Sequence, residues 1–263
     1  MKPETSPKAP AVELAGVAVA PVSGSGSALL EDVTWRISHG DYWAVGGLHW
    51  AGKTALLMTA AALQAPLTGK HFLFGKETET LDEEELVAER VRLGVVFEDG
   101  GRLFSHLSVA ENVALPLCYH RNCTIAETEE RVLLVLESLG LLHLAHDRPG
   151  RISRNWRQRV GLARALALAP EVLLLDNPIT GLDPRDRAWW LEFLDALAGG
   201  HKIVFGQPTT LVVVADDLRH WTERANQFAV IKDRRWMPLG DRAALGAAGD
   251  PLLRELLSGA TAD

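Results

Sequence analysis

Apolar and polar residues alternate in short blocks along most of the chain. AVELAGVAVA (11–20) reads as a strand, and LLEDVTWRISHGDYWAVGG (29–47) suits two strands joined at Gly40. Between them PVSGSGSA (21–28) is rich in Gly and Ser and reads as a turn or mobile loop. KTALLMTAAALQ (53–64) favours helix, because Ala and Leu dominate it. HFLFGK (71–76) is a short strand, DEEELVAERVR (82–92) a solvated, partly helical stretch, and LGVVFED (93–99) a buried strand. VAENVALPLCYH (109–120) predicts a helix that Pro116 bends or ends. TIAETEERVLLVLESLGLLHL (124–144) predicts one amphipathic helix, capped by Thr124 with Glu127 three residues on. RQRVGLARALALAP (157–170) predicts a helix ending near Pro170. EVLLLD (171–176) and TLVVVADD (210–217) are almost wholly apolar, as parallel strands covered on both faces are. FAVIKDRRWMPLG (228–240) predicts a closing hairpin, and DRAALGAAGDPLLREL (241–256) final helices.

This order predicts an α/β core with a largely helical insert over about 103–155. Residues 1–10 and 259–263 read as tails around a single domain, 11–258. The 263 residues are 47% apolar, enough for a sizeable core. The net charge of −7 argues against a nucleic-acid partner, which a basic face would mark. Two cysteines, Cys118 and Cys123, do not make a disulfide scaffold. No signal peptide and no run of 18 apolar residues is seen, so the expected compartment is the cytoplasm. Of the nine histidines, His143 and His146 are three apart, but nothing nearby completes a zinc set. Among the eight tryptophans, Trp189 and Trp190 share one helix, with at least one expected in the core; Trp221 and Trp236 are expected to pack.

GGLHWAGKT (46–54) carries the first chemistry. Gly47, four residues, then Gly52-Lys53-Thr54 is the phosphate-loop pattern, set between a strand and a helix. Backbone N–H groups and the helix N-terminus would surround phosphate oxygens. Lys53 would place its charge on the outer phosphates, and Thr54 would hold Mg²⁺. His49 and Trp50 are unusual in such a loop. Trp50 either stacks on something nearby or narrows the cradle.

Further motifs follow in order: VVFEDGGRLFSHLSVAENVALPL (95–117), ISRNWRQRVGLARALALAPEVLLLDNPITGLDP (152–184) and LVVVADDL (211–218). Over nearly its whole length the chain resembles the nucleotide-binding subunit of an ATP-binding cassette (ABC) transporter. The ENVALPL segment is similar to bacterial subunits that serve lipid or other small-solute permeases, including Mce-linked lipid systems. The resemblance implies an α/β, phosphate-loop NTPase core of ABC type, with an antiparallel β subdomain and a mostly helical insert. It implies ATP and Mg²⁺ as cofactors. It also implies a second ABC subunit, from the same or a different chain, and a transmembrane permease, placing the chain on the inner face of the cell membrane.

Carried over residue by residue, the nucleotide falls to Gly47, His49, Trp50, Ala51, Gly52, Lys53, Thr54 and Ala55, with Ser153 of the signature and Asp183 of the GLDP loop. The metal falls to Thr54, Glu98 and Asp176. The departures are selective. The family's catalytic glutamate matches Asn177, whose amide cannot accept a proton. Its metal- and water-sensing glutamine matches Glu98, and its switch histidine matches Asp216. The signature glycines match Arg154 and Asn155. Arg154 has two readings, a weakened signature or a side chain that lends charge to phosphate. No adenine-stacking aromatic stands at PVSG (21–24). Glu98, then Asp216, are the candidate substitute bases. The expected activity is MgATP binding with slow or absent hydrolysis, and a lost general base costs about 10² to 10⁴ in rate. Signature and catalytic residues of one chain serve opposite composite sites in a head-to-tail pair. A normal partner would therefore improve both sites without fully repairing either. The alternative is a non-catalytic, nucleotide-gated or structural scaffold in a membrane complex.

Overall fold

A computed structural model describes residues 8–22, 26–247 and 251–258. The expected tails at 1–10 and 259–263 lie outside these residues, except for 8–10. So do residues 23–25 of the expected loop and 248–250 of the last helical stretch. The chain forms β1 (Val12–Val19), β2 (Leu30–Ile37), β3 (Tyr42–Gly47), α1 (Lys53–Ala60), β4 (Thr68–Leu73), β5 (Lys76–Glu77), α2 (Glu83–Arg90) and β6 (Leu93–Val96). There follow α3 (Val109–Arg121), α4 (Glu129–Ser138), α5 (Arg154–Leu166), β7 (Val172–Asp176), α6 (Pro184–Ala198), β8 (Thr210–Ala215), β9 (Gln227–Lys232), β10 (Arg235–Gly240), α7 (Arg242–Ala247) and α8 (Pro251–Ser258). The architecture is the mixed α/β fold expected, with an antiparallel sheet region and helical insertions.

The chain divides into two compact units, residues 1–90 with 214–263, and residues 91–213. In the first unit the strand order is β5-β4-β1-β2-β10-β9-β3. β1 runs antiparallel to β2 and β4, and β9 pairs antiparallel with β10 and parallel with β3. β2 buries Leu30, Val33, Trp35 and Ile37 while the residues between them face solvent. The alternation slips one place at Asp32, which sits at φ 52°, where the pairing with β1 is irregular. Trp35, Trp43 and Trp236 cluster with ring centroids 4.7–6.2 Å apart, and Trp221 lies fully buried beside Tyr42.

In the second unit the strand order is β8-β7-β6, with β6 and β7 parallel. β7 is buried at every position, as is β8. Both are the apolar runs that a two-sided core requires. The stretch from 103 to 155 carries helices and short 3₁₀ turns and no strand.

Two expected helices differ. α3 does not end at Pro116 but continues to Arg121, where Asn122 in the left-handed region stops it. Pro116 removes one backbone donor, a cost of about 3 kcal/mol or more. Burial of Val109, Val113, Ala114 and Leu117 offsets that loss, and a complete Ser108–Glu111 capping box adds a smaller contribution. The expected helix over 124–144 is broken. Thr124 does bond Glu127, but it opens a 3₁₀ turn (126–128) that leads into α4. α4 then ends at Ser138, before Gly140 at φ 69°.

His71 in β4 is 3% exposed, and burial drives its pKa down to about 4 from 6.5, against a smaller upward pull from the Ala60 backbone. The unfolded chain therefore binds more protons than the folded one between these two values, and stability must fall as pH drops through that window. The loss expected from His71 is on the order of 3 kcal/mol. Urea unfolding from pH 7 to pH 4 should show it, and His71→Leu should flatten the slope. An equal slope in the variant would rule His71 out as the source.

Candidate functional site

The phosphate loop lies in the first unit. β3 is buried throughout and delivers Gly47 at its end. The chain then turns, with the Ala51 amide donating to the Leu48 carbonyl at 3.1 Å. Gly52 precedes α1 at φ 96°, a backbone shape that glycine adopts without strain. Trp50 takes φ 66° in the same turn and pays that strain without glycine's freedom. Its ring is 90% exposed and meets His49 edge-on at 5.1 Å. It therefore points outward and does not fill the loop. Ala51 and Thr54 are half-buried, and Ala55 is buried on α1.

Lys53 opens α1 and is only 6% exposed. Its Nζ donates to the carbonyls of Gly47 at 2.6 Å and Leu48 at 2.7 Å. It also stands 2.5 Å from Oδ1 of Asp216, the first residue after β8. His49 Nδ1 is 3.8 Å from the other oxygen of Asp216. Asp217 turns elsewhere. Burial alone would raise its carboxyl, but hydrogen bonds and charge from Arg219 hold it below the usual range.

A second set of candidate residues, mostly acidic, lies in the second unit. Asp176 ends β7 and is buried. Asn177 follows it, also buried, at φ 45°. Asn tolerates that left-handed conformation better than most residues. Its Nδ2 donates to Glu98 Oε2 at 3.5 Å. Arg154 reaches the other Glu98 oxygen at 3.5 Å and donates through Nε to Asp99 at 2.7 Å. The Glu98 carbonyl accepts from Gln158 at 2.6 Å. Gly161 makes this approach possible, since a Cβ there would lie 2.2 Å from the Gly100 carbonyl oxygen.

The signature residues are also engaged within their own unit. Ser153 Oγ donates to Asn155 Oδ1. Asn155 Nδ2 and Arg159 each donate to Asp186 at 2.7 Å. Asp183 caps α6, accepting from the amides of Arg185 and Asp186. Arg159 is sandwiched between Trp156 and Trp189, 4.8 Å and 3.6 Å from their ring centroids. Trp190 is core, whereas half-buried Trp189 covers Arg159. Asp99, Gln158 and Asp186 went unremarked in the sequence. Asp186 had one signal, its place in the first turn after the Asp183 cap.

The residues present suit the groups the fold implies. Lys53 is a buried cation at a helix start, as phosphate requires. Thr54, Glu98 and Asp176 offer only oxygen donors, which suit Mg²⁺. Among the described residues no cluster of three His, Cys, Asp or Glu side chains forms a metal cage by itself. Mg²⁺ needs no such cage, because it is usually bound by one or two carboxylates together with phosphates.

A buried strand, a turn closed on its lysine, and a helix begun by that lysine define a phosphate-loop NTPase. The chain belongs to the ABC transporter family, whose model matches residues 30–180. It is 33% identical over 209 residues to the methionine import ATP-binding protein MetN of Carboxydothermus hydrogenoformans, covering 78% of this chain and 59% of that protein. It is 28% identical over 231 residues to the intermembrane phospholipid transport system ATP-binding protein MlaF of Escherichia coli, covering 88% and 83%. The chain thus spans about three fifths of the methionine-import relatives it matches. Among solved structures, the dimeric bacterial ABC transporter cassette MJ0796 superposes with a TM-score of 0.74 at 27% identity, covering 86% of this chain and 96% of that one. CbiO1 of Clostridium perfringens shares the fold with the same TM-score at 22% identity, over 91% and 92% of the two chains.

Placing a glutamate at position 177 should destabilise the fold. A Glu at φ 45° carries backbone strain of about 1 kcal/mol or more, and it faces the Glu98 carboxylate. Asn177→Glu should lower the unfolding free energy by about 1–3 kcal/mol in urea. An unchanged midpoint would show that position 177 relaxes freely.

Proposed function

We propose that this chain is the nucleotide-binding subunit of a membrane transporter, and that it binds MgATP while hydrolysing it slowly or not at all. One observation carries the reading. The residue after Asp176 is an amide, Asn177, and that amide donates to Glu98, the best-placed substitute base. Asn177 itself takes no proton, and its amide is directed at one of the Glu98 oxygens.

The roles follow from side-chain chemistry. Gly47 to Ala55 supply backbone N–H groups and the Lys53 charge to the phosphates. Thr54, Asp176 and Glu98 would hold Mg²⁺, which neutralises phosphate charge when bound. Ser153 and Asp183 belong to the surface that a second subunit would complete. That subunit is the same or a different chain, and a transmembrane permease completes the assembly on the inner face of the membrane. No helix among the described residues is long and apolar enough to cross a membrane, so the spanning part would come from another chain or segment. A nucleotide-gated scaffold is the second reading. It draws on Arg154 and Asn155, whose side chains are bonded within their own unit.

The test is phosphate release from MgATP over a series of protein concentrations, alongside nucleotide binding, with Lys53→Ala as control. The expected result is MgATP binding that the control loses, with release no faster than in the control. Release that rises more steeply than protein concentration and vanishes in Lys53→Ala would overturn slow hydrolysis. It would make Glu98 or Asp216 the working base.

A further inference from the structure

Lys53 is the residue the phosphate loop would turn to a nucleotide's outer phosphates, and its ammonium is already engaged. Asp216 Oδ1 lies 2.5 Å from it, and two loop carbonyls take its remaining donors. Asp216 is not a chance visitor. It follows β8, a strand buried along its whole length, so its backbone is held at the strand end. The next carboxylate, Asp217, is fixed on Arg219 and leaves Asp216 as the one aimed at Lys53. The Asp216 side chain is 34% exposed, so it can swing away from the loop at the cost of its ion pair.

We propose that Asp216 is a specificity residue, a built-in carboxylate that competes with the terminal phosphate for Lys53 and makes the loop favour a nucleoside diphosphate over a triphosphate. This rests on the reading above that the loop binds nucleotide. Backbone N–H groups and the α1 N-terminus, helped by the nearby Lys53 charge, can cradle a diphosphate while Asp216 stays in place. One more phosphate brings negative charge toward a carboxylate that stands on the ammonium it needs. Like charges repel strongly in a partly buried site, where solvent screens them poorly. A triphosphate must therefore displace Asp216, whereas a diphosphate need not.

The experiment compares MgATP and MgADP affinities, measured by displacement of a fluorescent nucleotide. The proteins are the wild type, Asp216→Asn, Asp216→Ser and Lys53→Ala, each checked for folding by circular dichroism. The wild type should bind MgADP more tightly than MgATP. Either Asp216 variant should tighten MgATP by about tenfold or more and MgADP by less than about threefold. Lys53→Ala should weaken both nucleotides. If folded Asp216→Asn and Asp216→Ser keep the wild-type ratio while Lys53→Ala still weakens binding, the specificity role is wrong and nucleotide binding stands. If neither nucleotide displaces the probe from the wild type or from the Asp216 variants, the nucleotide reading and the specificity role both fall.

Discussion

A lysine ammonium 6% exposed must be compensated, and much of the phosphate loop follows from how Lys53 is compensated. An unpaired buried ion costs several kcal/mol, so the chain around it has to bring partners. An ammonium has three donors. Two face the carbonyls of Gly47 and Leu48, which fold the loop over its own lysine. The third direction meets Asp216. With those carbonyls turned to Lys53, the chain must reverse within a few residues, and Trp50 and Gly52 both take positive φ. Trp50 ends outside the turn, exposed, because the inside is filled by the ammonium and its partners.

The second unit solves a similar problem with opposite signs. Glu98 and Asp99 are adjacent carboxylates, and Arg154 spans them. A guanidinium presents five donors in a planar fork, so one arginine can serve both acids. Asp186 plays the matching role on the helix side, accepting from Asn155 and from Arg159. Arg159 is buried, and the faces of Trp156 and Trp189 supply part of what water would have given it. Several of the tryptophans that make the composition unusual are thus accounted for as cation cover and core.

Motif order makes the fold class legible, and strands are legible where the runs are wholly apolar. EVLLLD and TLVVVADD suit strands covered on both faces, and β7 and β8 are buried throughout. Helix ends were read poorly. Pro116 is a strong local stop signal, but the buried face of α3 overrides it. Gly140 lies inside an amphipathic pattern whose periodicity runs on past it, and its positive φ ends the helix all the same. At the site, the residue types themselves are visible in the sequence. Their partners are not, because Arg154 and Glu98 lie far apart in sequence, as do Lys53 and Asp216. Periodicity carries no information about such contacts.

These partnerships tie the charged residues of each unit together. Taken singly, an aspartate at 216, a glutamate at 98 and an arginine at 154 look like isolated charges. In the folded chain each of them has an opposite charge within its own unit. Asp216 pairs with Lys53, and Arg154 pairs with both Glu98 and Asp99, offsetting one of their two negative charges. A neutral residue at 154 would leave two neighbouring carboxylates facing each other without their cation, and the buried Asn177 amide would be the remaining donor near Glu98. The acids and bases here therefore have to be considered as connected groups, because changing one alters the charge balance that its partners depend on.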